Sequence, residues 1–169
     1  MSKVKQARGK IKSLAEISRI AKRARAQEKK IVTTNGTFDI LHAGHVRIFE
    51  FAKSQGDILI VGVNSNKSVK AYKGDKRPVV DERDRAELVA ALASVDYVFI
   101  FNSKTPVPWL PKIRPHVHVK GADWLGVYKG KPYVEEPILY KIGAKFKIFP
   151  VIKGRSTTNI IERIKKLSL

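Results

Sequence analysis

The chain has 169 residues and a formal net charge of +19, with 34 Lys and Arg against 15 Asp and Glu. Its hydrophobic content of 43% excludes general disorder, and its lack of cysteine excludes disulfides, thiolate metal sites and a cysteine nucleophile. No segment approaches the roughly 18 apolar residues of a membrane span, and no apolar stretch follows the basic amino terminus, so we expect neither membrane insertion nor a signal peptide. The charge predicts an anionic partner but does not identify its chemical class.

The basic residues are concentrated near the amino terminus. Residues 1–30 hold 11 Lys and Arg and only 2 acidic residues, which is about half of the net charge. We interpret 1–30 as a basic arm with an amphipathic helix over 11–26, and 31–169 as the main domain. Residues 1–10 lack periodicity and are expected to fray. The helix either packs on the domain with a solvated basic face, which we favour, or binds nucleic acid or membrane.

After residue 30, short apolar runs alternate with helical patterns. Strands are predicted at 31–34, 57–63, 97–101, 117–119 and 145–149, and helices at 44–54, 67–72, 82–93, 106–113, 133–142 and 157–167. This alternation predicts an α/β fold with a Rossmann-like, doubly wound parallel sheet of five strands, helices on both faces and an additional amino-terminal helix. Ligands of such sheets bind outside the carboxyl ends of the strands.

The segment with the most chemical character follows the first strand. TNGTFDILHAGH, residues 34–45, has Gly36 at the strand end and two histidines, His42 and His45, around Gly44. Glycine lets a ligand approach the backbone closely, and a helix N-terminus favours phosphate. Histidines three residues apart share one helix face. We interpret the pair as donors to a phosphate, in preference to one capping histidine and one buried histidine.

Two further cationic segments follow strands. KAYKGDKRP, residues 70–78, places four cations on one loop, and GRSTTN, residues 154–159, places Arg155 beside three hydroxyls that precede the last helix. The planar guanidinium of Arg155 suits a phosphate. Any of the three hydroxyls can instead serve only as a helix cap.

At HAGH, residues 42–45, and RSTT, residues 155–158, the chain resembles the cytidylyltransferase-like nucleotidyltransferases. That family has an H-x-G-H signature and a carboxyl-terminal Ser-Thr-Thr segment in this order, and the resemblance extends over residues 14–164. It implies attack of a phosphate monoester on the α-phosphorus of a nucleoside triphosphate, with release of pyrophosphate. It also implies that Mg²⁺ travels with the triphosphate, without a dedicated metal site in the protein.

The resemblance also implies residue roles. The catalytic residues would be His42, His45 and Lys73. The nucleotide-binding residues would be Gly36, Thr37, Phe38, His42, Gly44, His45, Lys120, Gly121, Asp123, Arg155, Ser156, Thr157 and Thr158. The substrate-binding residues would be Asp39, Lys70, Lys73, Arg77, Arg85 and Trp124. Arg83 is an alternative to Arg85, and Asp39 is a candidate magnesium contact.

Two subfamilies compete for the substrate. KGAD, residues 120–123, and RSTTNII, residues 155–161, resemble the enzymes that join ATP to heptose 1-phosphate, giving ADP-heptose for the lipopolysaccharide inner core. GTFD, residues 36–39, and Trp124 resemble the enzymes that join CTP to glycerol 3-phosphate or a similar alcohol phosphate. We favour the heptose reaction.

The alternative outside enzymes is a basic nucleic-acid-binding domain. Such a domain has aromatic residues interleaved with cations on one surface, and the chain has no run of that kind. We therefore expect no nucleic-acid partner. For the enzyme we expect a cytoplasmic location and a homo-oligomer, most simply a dimer.

Overall fold

A computed structural model describes residues 6–122, 133–150, 152, 154 and 156–167. Its centre is a sheet of five strands, β1 (Ile31–Gly36), β2 (Ile58–Asn64), β3 (Tyr97–Phe101), β4 (Val117–Gly121) and β5 (Lys145–Phe149). The strand order is β3-β2-β1-β4-β5, and every neighbouring pair is parallel. The predicted Rossmann-like parallel sheet is confirmed.

Helices connect the strands. Those in the described ranges are α1 (Ala7–Lys10), α2 (Leu14–Ala26), α3 (Ala43–Lys53), α4 (Asn66–Lys73), α5 (Glu82–Ala91), α6 (Leu110–Ile113), α7 (Glu136–Lys141) and α8 (Thr157–Leu167). The helices α6 and α7 are shorter than predicted and begin later, with Pro111 and Pro137 in their first turns, where proline is tolerated. Within the described part of the chain, no helix is long and apolar enough to cross a bilayer.

The sheet is covered on both faces, which confirms the predicted layering. One apolar cluster packs α3 and α5 against the strands through Phe49 and Val89. The other packs α2, α6 and α7 against the opposite face through Ile17, Trp109 and Leu139. Burial on both faces explains why β2 is a continuous apolar run in the sequence.

The basic helix α2 is part of this structure. A capping box of Ser13 and Glu16 begins it, and its residues Ile17 and Ala21 are fully buried against the sheet. Lys22 and other cations lie on its exposed side. The helix therefore packs on the domain with a solvated basic face, which is the interpretation that the sequence favours.

The segment before α2 corrects one prediction. Residues 7–10 form the short helix α1, and Lys10 Nζ donates to the carbonyl oxygens of Leu92 at 3.1 Å and Val95 at 2.8 Å. The backbone N–H of Lys12 donates to Val98 O at 2.9 Å. The expectation that residues 1–10 fray is therefore wrong for residues 7–10, because polar contacts with the end of α5 and with β3 anchor them. Residues 1–5 lie outside the described ranges.

The strand order places a crevice beside β1. In β1, Thr34 is paired with Val61 of β2 on one side and with Val119 of β4 on the other. Along the chain, β2 and β3 are added on one side of β1, and β4 and β5 are then added on its other side. At such a switch point the connections after neighbouring strands diverge, which leaves room for a ligand. Residues 37–39, after Gly36, and Ala122, after Gly121, border this crevice.

Candidate active site

A cleft of about 250 Å³ opens at the carboxyl edge of the sheet, beside the switch point. It brings together most of the predicted site residues, namely Gly36, Thr37, Phe38, Asp39, His42, Gly44, His45, Lys73, Arg77, Gly121, Ser156, Thr157 and Thr158. Three predicted residues, Lys70, Arg85 and Lys120, do not line it. Asp123, Trp124 and Arg155 lie outside the described residues.

The segment from Thr37 to His45, here called the histidine turn, leads from β1 into α3. His42 caps the helix, and its Nδ1 accepts a hydrogen bond from the Gly44 backbone N–H at 3.1 Å. A ring nitrogen that accepts a hydrogen bond carries no hydrogen, so the neutral ring has its hydrogen on Nε2. The helix cap therefore selects the tautomer in which Nε2 is the donor.

His45 stacks on His42, with the ring centroids 3.9 Å apart and the planes inclined by 22°. Burial, with smaller effects from His42 and Lys73, lowers the pKa of His45 to about 3. The ring is therefore neutral at physiological pH. An anion bound beside it would favour the protonated form and raise this pKa. A phosphate bound beside the stacked pair would therefore favour protonation of His45.

Phe38 packs against another side of the His45 ring. Its ring meets His45 edge-on at 5.3 Å and packs against Phe49 at 5.0 Å. The residue is buried with a φ of 50°, in the left-handed region. A Cβ on Gly36 would lie 2.9 Å from the Phe38 ring. Glycine at position 36 therefore makes room for Phe38, in addition to lining the cleft.

Asp39 attaches the 77–80 loop, which follows α4, to the histidine turn. Its Oδ1 accepts hydrogen bonds from the backbone N–H groups of Val79 at 2.8 Å and Val80 at 2.9 Å, and its Oδ2 accepts from Arg77 Nε at 2.7 Å. The residue is 2% exposed. Both carboxylate oxygens are thus engaged within the protein. This replaces the expected contact with substrate or magnesium by a positioning role, in which Asp39 brings Arg77 to the cleft.

Arg85 is buried beneath the same turn. Its guanidinium donates to the carbonyl oxygens of Thr37 and Val80 and, at 2.8 Å, to Asn66 Oδ1. With 0% exposure it does not reach the cleft. The expectation of a direct substrate contact is corrected, since the side chain supports the backbone of the turn instead. The alternative residue, Arg83, is exposed on α5 and does not line the cleft.

Lys120, the residue before the end of β4, faces a buried partner. Its Nζ donates to Glu135 Oε1 and lies 3.5 Å from Asn35 Oδ1, and the lysine and the glutamate are 4% and 0% exposed. A buried carboxylate already neutralises this ammonium group. The expected contact of Lys120 with the nucleotide therefore does not fit its position, whereas its neighbour Gly121 does line the cleft.

The two predicted lysines of α4 differ in position. Lys73, in the last turn, lines the cleft and contributes to the lowered pKa of His45. Lys70 is exposed and does not line the cleft. Of the two, Lys73 is placed to act on a bound anion.

The start of α8 forms another wall of the cleft. Ser156 Oγ accepts a hydrogen bond from the backbone N–H of Asn159 at 3.1 Å, so this hydroxyl does cap the helix. Thr157 Oγ1 donates to Ile40 O at 3.4 Å, which connects α8 to the histidine turn. Thr158 also lines the cleft. Hydroxyls and helix N–H groups therefore meet the histidines in one cavity.

The cleft also contains residues that sequence reasoning missed. They are Asn35, Ile48, Ala122, Phe149, Pro150 and Ile152. Phe149 ends β5 and Asn35 is the residue before the end of β1, so the rule that ligands bind at the carboxyl ends of strands could have identified them. Ile48 follows Gly44 at helical spacing on α3, which is a signal that it lies on the same face.

The described residues do not form a metal cage. No three His, Cys, Asp or Glu side chains among them come together as metal ligands. Asp39 is the one acidic residue among the described residues that line the cleft, and both of its oxygens are engaged. Protein sites for Mg²⁺ usually provide carboxylates. The donors among the described residues therefore do not fit a resident magnesium ion.

A Rossmann-like parallel sheet with a cleft at its switch point places this chain in the class of α/β domains that bind ligands at the carboxyl ends of their strands. The model of the cytidylyltransferase-like family matches residues 33–163. The chain belongs to the cytidylyltransferase-like family, as the resemblance at HAGH and RSTT implies.

Curated relatives match nearly the whole chain. The bifunctional protein HldE of Geobacter metallireducens is 44% identical over 155 residues, and that of Aliarcobacter butzleri is 46% identical over 156 residues. Each match covers 92% of this chain but 31% of the relative. The chain thus spans about a third of the length of these relatives.

Two solved structures also resemble this chain in fold. A lipopolysaccharide core biosynthesis protein from Thermoplasma volcanium has a TM-score of 0.58 and 27% identity, covering 75% of this chain and 99% of that chain. A pantoate-beta-alanine ligase from Francisella tularensis has a TM-score of 0.62 and 16% identity, covering 94% and 78%. At that identity, the ligase supports the fold alone.

Proposed function

We propose that this chain transfers the AMP group of ATP to heptose 1-phosphate, giving ADP-heptose and pyrophosphate. The stacked histidines carry the proposal, because His42 and His45 lie at a helix N-terminus inside a cleft that the hydroxyl segment of α8 also lines. Membership of the cytidylyltransferase-like family supports nucleotidyl transfer. The HldE relatives and the lipopolysaccharide core biosynthesis protein support a sugar phosphate as the acceptor.

The proposed reaction is an in-line displacement at phosphorus. A phosphate oxygen of the sugar phosphate forms a bond to the α-phosphorus of ATP. The bond from the α-phosphorus to the bridging oxygen breaks, and pyrophosphate leaves with that oxygen and its electron pair. The nucleophile is already anionic, so no general base is needed. The protein contributes positioning and charge stabilisation.

The cleft residues have distinct roles in this proposal. His42 donates through Nε2–H to a phosphate oxygen, in the tautomer that its helix cap selects. His45 is neutral in the free protein, and its pKa rises as negative charge is bound beside it. Lys73 neutralises the non-bridging oxygens, and Arg77, positioned by Asp39, binds the sugar phosphate.

The remaining nucleotide contacts are assigned to the strand ends and to α8. Ser156, Thr157 and Thr158 bind the β- and γ-phosphates together with the helix N–H groups, as helix N-termini do for anions. Asp123 and Arg155 keep their predicted roles as nucleotide contacts, and Trp124 keeps its predicted role as a substrate contact, on the resemblance alone.

We propose that Mg²⁺ enters with the nucleoside triphosphate. The described residues offer no carboxylate cage, so the phosphates would be its ligands. When bound, the ion neutralises charge on the pyrophosphate leaving group. A homodimer and a cytoplasmic location are further proposals.

An assay of pyrophosphate release tests the proposal. The protein is incubated with ATP, CTP, GTP or UTP, each combined with heptose 1-phosphate or glycerol 3-phosphate. We expect release with ATP and heptose 1-phosphate. Release only with CTP and glycerol 3-phosphate would establish the cytidylyltransferase alternative. No release in any combination, together with tight RNA or DNA binding that weakens steeply with salt, would contradict the enzyme.

A further inference from the structure

A second, smaller cavity lies at the same edge of the sheet. Its volume is about 20 Å³, which is enough for one water molecule or one hydroxyl group. Asn35 lines both this cavity and the main cleft. Polar side chains line it, among them Asn64 at the end of β2, Lys120 in β4, and Glu135. The small cavity is therefore a polar recess next to the proposed phosphate site.

Glu135 provides the unusual feature of this recess. The residue is 0% exposed, and its Oε1 accepts a hydrogen bond from Lys120. Its Oε2 is buried and has no hydrogen-bond partner among the described residues. Buried polar atoms are normally satisfied, so an unsatisfied carboxylate oxygen that lines a water-sized recess indicates a missing donor from a ligand or water.

The chemistry of the recess selects the kind of group that it can bind. The Glu135 carboxylate is paired with the ammonium group of Lys120 through Oε1, and an ionised carboxylate only accepts hydrogen bonds. A phosphate group is too large for a recess of this volume, and its oxygens could not donate to Oε2. A hydroxyl fits, because it donates to Glu135 Oε2 and can accept from Lys120 or from the Asn35 amide. The small volume also excludes a nucleobase.

We propose that Glu135 determines specificity for the phosphorylated acceptor, by accepting a hydrogen bond from one of its hydroxyl groups through Oε2. Lys120 is then a positioning residue, which fixes the carboxylate from the opposite oxygen. With the acceptor phosphate in the main cleft, its carbon chain passes Asn35 and directs a hydroxyl into the recess. This inference rests on the proposed function and adds a residue that reads the sugar.

The first experiment uses the unaltered chain. Heptose 1-phosphate is compared with deoxy analogues that each lack one hydroxyl, and KM and kcat are measured by pyrophosphate release. For one analogue we expect KM to rise by about 10- to 100-fold, the range for a hydrogen bond to a charged group. Equal KM values for all analogues would overturn the proposal. No turnover with heptose 1-phosphate itself would instead contradict the proposed function.

The second experiment uses Glu135→Gln, which keeps the shape of the side chain but removes its charge. We expect KM for heptose 1-phosphate to rise, KM for ATP to stay the same, and the discrimination against the critical deoxy analogue to disappear. A purely structural role would change both KM values and leave the discrimination intact. If Glu135→Gln fails to fold, the analogue series on the unaltered chain still decides.

Two controls separate other sources of the effect. Asp96→Asn removes the carboxylate of another ion pair, Lys53–Asp96, near the opposite edge of the sheet, and we expect it to leave both KM values unchanged. The ribose of ATP also has hydroxyls, so 2′-deoxy-ATP and 3′-deoxy-ATP are included. If Glu135→Gln removes discrimination against a deoxynucleotide and not against a deoxy sugar, the assignment to the acceptor is wrong.

Discussion

The two sides of the cleft are attached to the protein very differently. In the histidine turn, Asp39 accepts three hydrogen bonds from the 77–80 loop, and the buried Arg85 donates to the carbonyl oxygen of Thr37. In α8, none of the described side chains is buried, and Thr157 joins the helix to the turn through a 3.4 Å hydrogen bond. The histidine turn is thus held in position by buried contacts before a ligand arrives, whereas fewer contacts fix the position of α8.

This difference suggests a division of work within the proposed reaction. Groups that stabilise a transition state act best when they are already in place, which matches the histidine turn. Groups that bind the remote phosphates can be ordered by the ligand, at some cost in affinity. Variants of the turn should therefore affect turnover and stability, and variants of α8 should affect nucleotide affinity.

The largest expected effect is that of His45→Ala. The substitution removes a ring that stacks on His42 and lines the cleft, so we expect kcat to fall by about 10³-fold, as when an electrostatic donor is lost. Circular dichroism should show an intact fold. His116→Ala is the matched control, because His116 is exposed and bonds to Ile31 at the other end of β1. Near-normal kcat in His45→Ala would show that the histidines are structural.

The next effect is on stability. Asp39→Asn weakens the contacts that attach the 77–80 loop, and the carboxylate is nearly fully buried. We expect the free energy of unfolding in urea to fall by roughly 3 kcal/mol, as for loss of one partner of a buried ion pair, and kcat/KM to fall because Arg77 is misplaced. Asp57→Asn, at an exposed aspartate, should cost less. Equal costs would mean that the turn is not organised by Asp39.

In α8, on the other side of the cleft, we expect a loss of nucleotide affinity with little loss of stability. Thr157→Val keeps the shape of the side chain and removes its hydroxyl, so KM for ATP should rise by about tenfold, as for one lost hydrogen bond to a charged group. The free energy of unfolding should change by less than about 0.5 kcal/mol, as at most surface positions. Glu162→Ala, an exposed residue on the same helix, is the control for helix stability. A large loss of stability in Thr157→Val would remove the contrast between the two sides.

The parts of the fold that the sequence predicts correctly depend on local sequence patterns. The five strands and the position of the HAGH motif follow from apolar runs and from turn and cap residues, which act over a few residues. The pairing of Lys120 with Glu135, 15 residues further along, and the burial of Arg85 under Thr37 depend on how distant segments fold together. A cation looks the same in the sequence whether it faces a ligand or a buried carboxylate. The fold was therefore predictable, whereas the positions of Lys120 and Arg85 were not.

The anchored segment 7–10 is a similar case. Its sequence has no helical period, but Lys10 finds two carbonyl oxygens near the end of α5. Those acceptors are more than 80 residues away, at Leu92 and Val95. Short-range periodicity cannot report such contacts, so absence of a pattern was a poor guide to fraying.

The smallest expected effect concerns pH. The pKa of His45 is lowered by burial to about 3, whereas a histidine in an unfolded chain titrates near about 6.5. As the pH falls below about 6.5, the unfolded chain binds a proton that the folded chain does not, so folding loses stability until the pH reaches about 3. Linkage gives a loss of about 0.7 kcal/mol between pH 7 and pH 6 from this residue. His118, which is fully buried and also has a lowered pKa, acts in the same direction.

Urea denaturation at pH 7 and pH 6 isolates the share of His45. In His45→Gln the loss between the two pH values should be smaller by about 0.7 kcal/mol, because glutamine does not titrate, while Thr157→Val should lose as much as the unaltered chain. A bound triphosphate should also reduce the loss in the unaltered chain, since an anion beside His45 raises its pKa towards the unfolded value. If His45→Gln and the unaltered chain lose stability in parallel, the histidine is not desolvated in the free protein. The turn would then not be organised in advance, and the contrast with α8 would rest on hydrogen bonds alone.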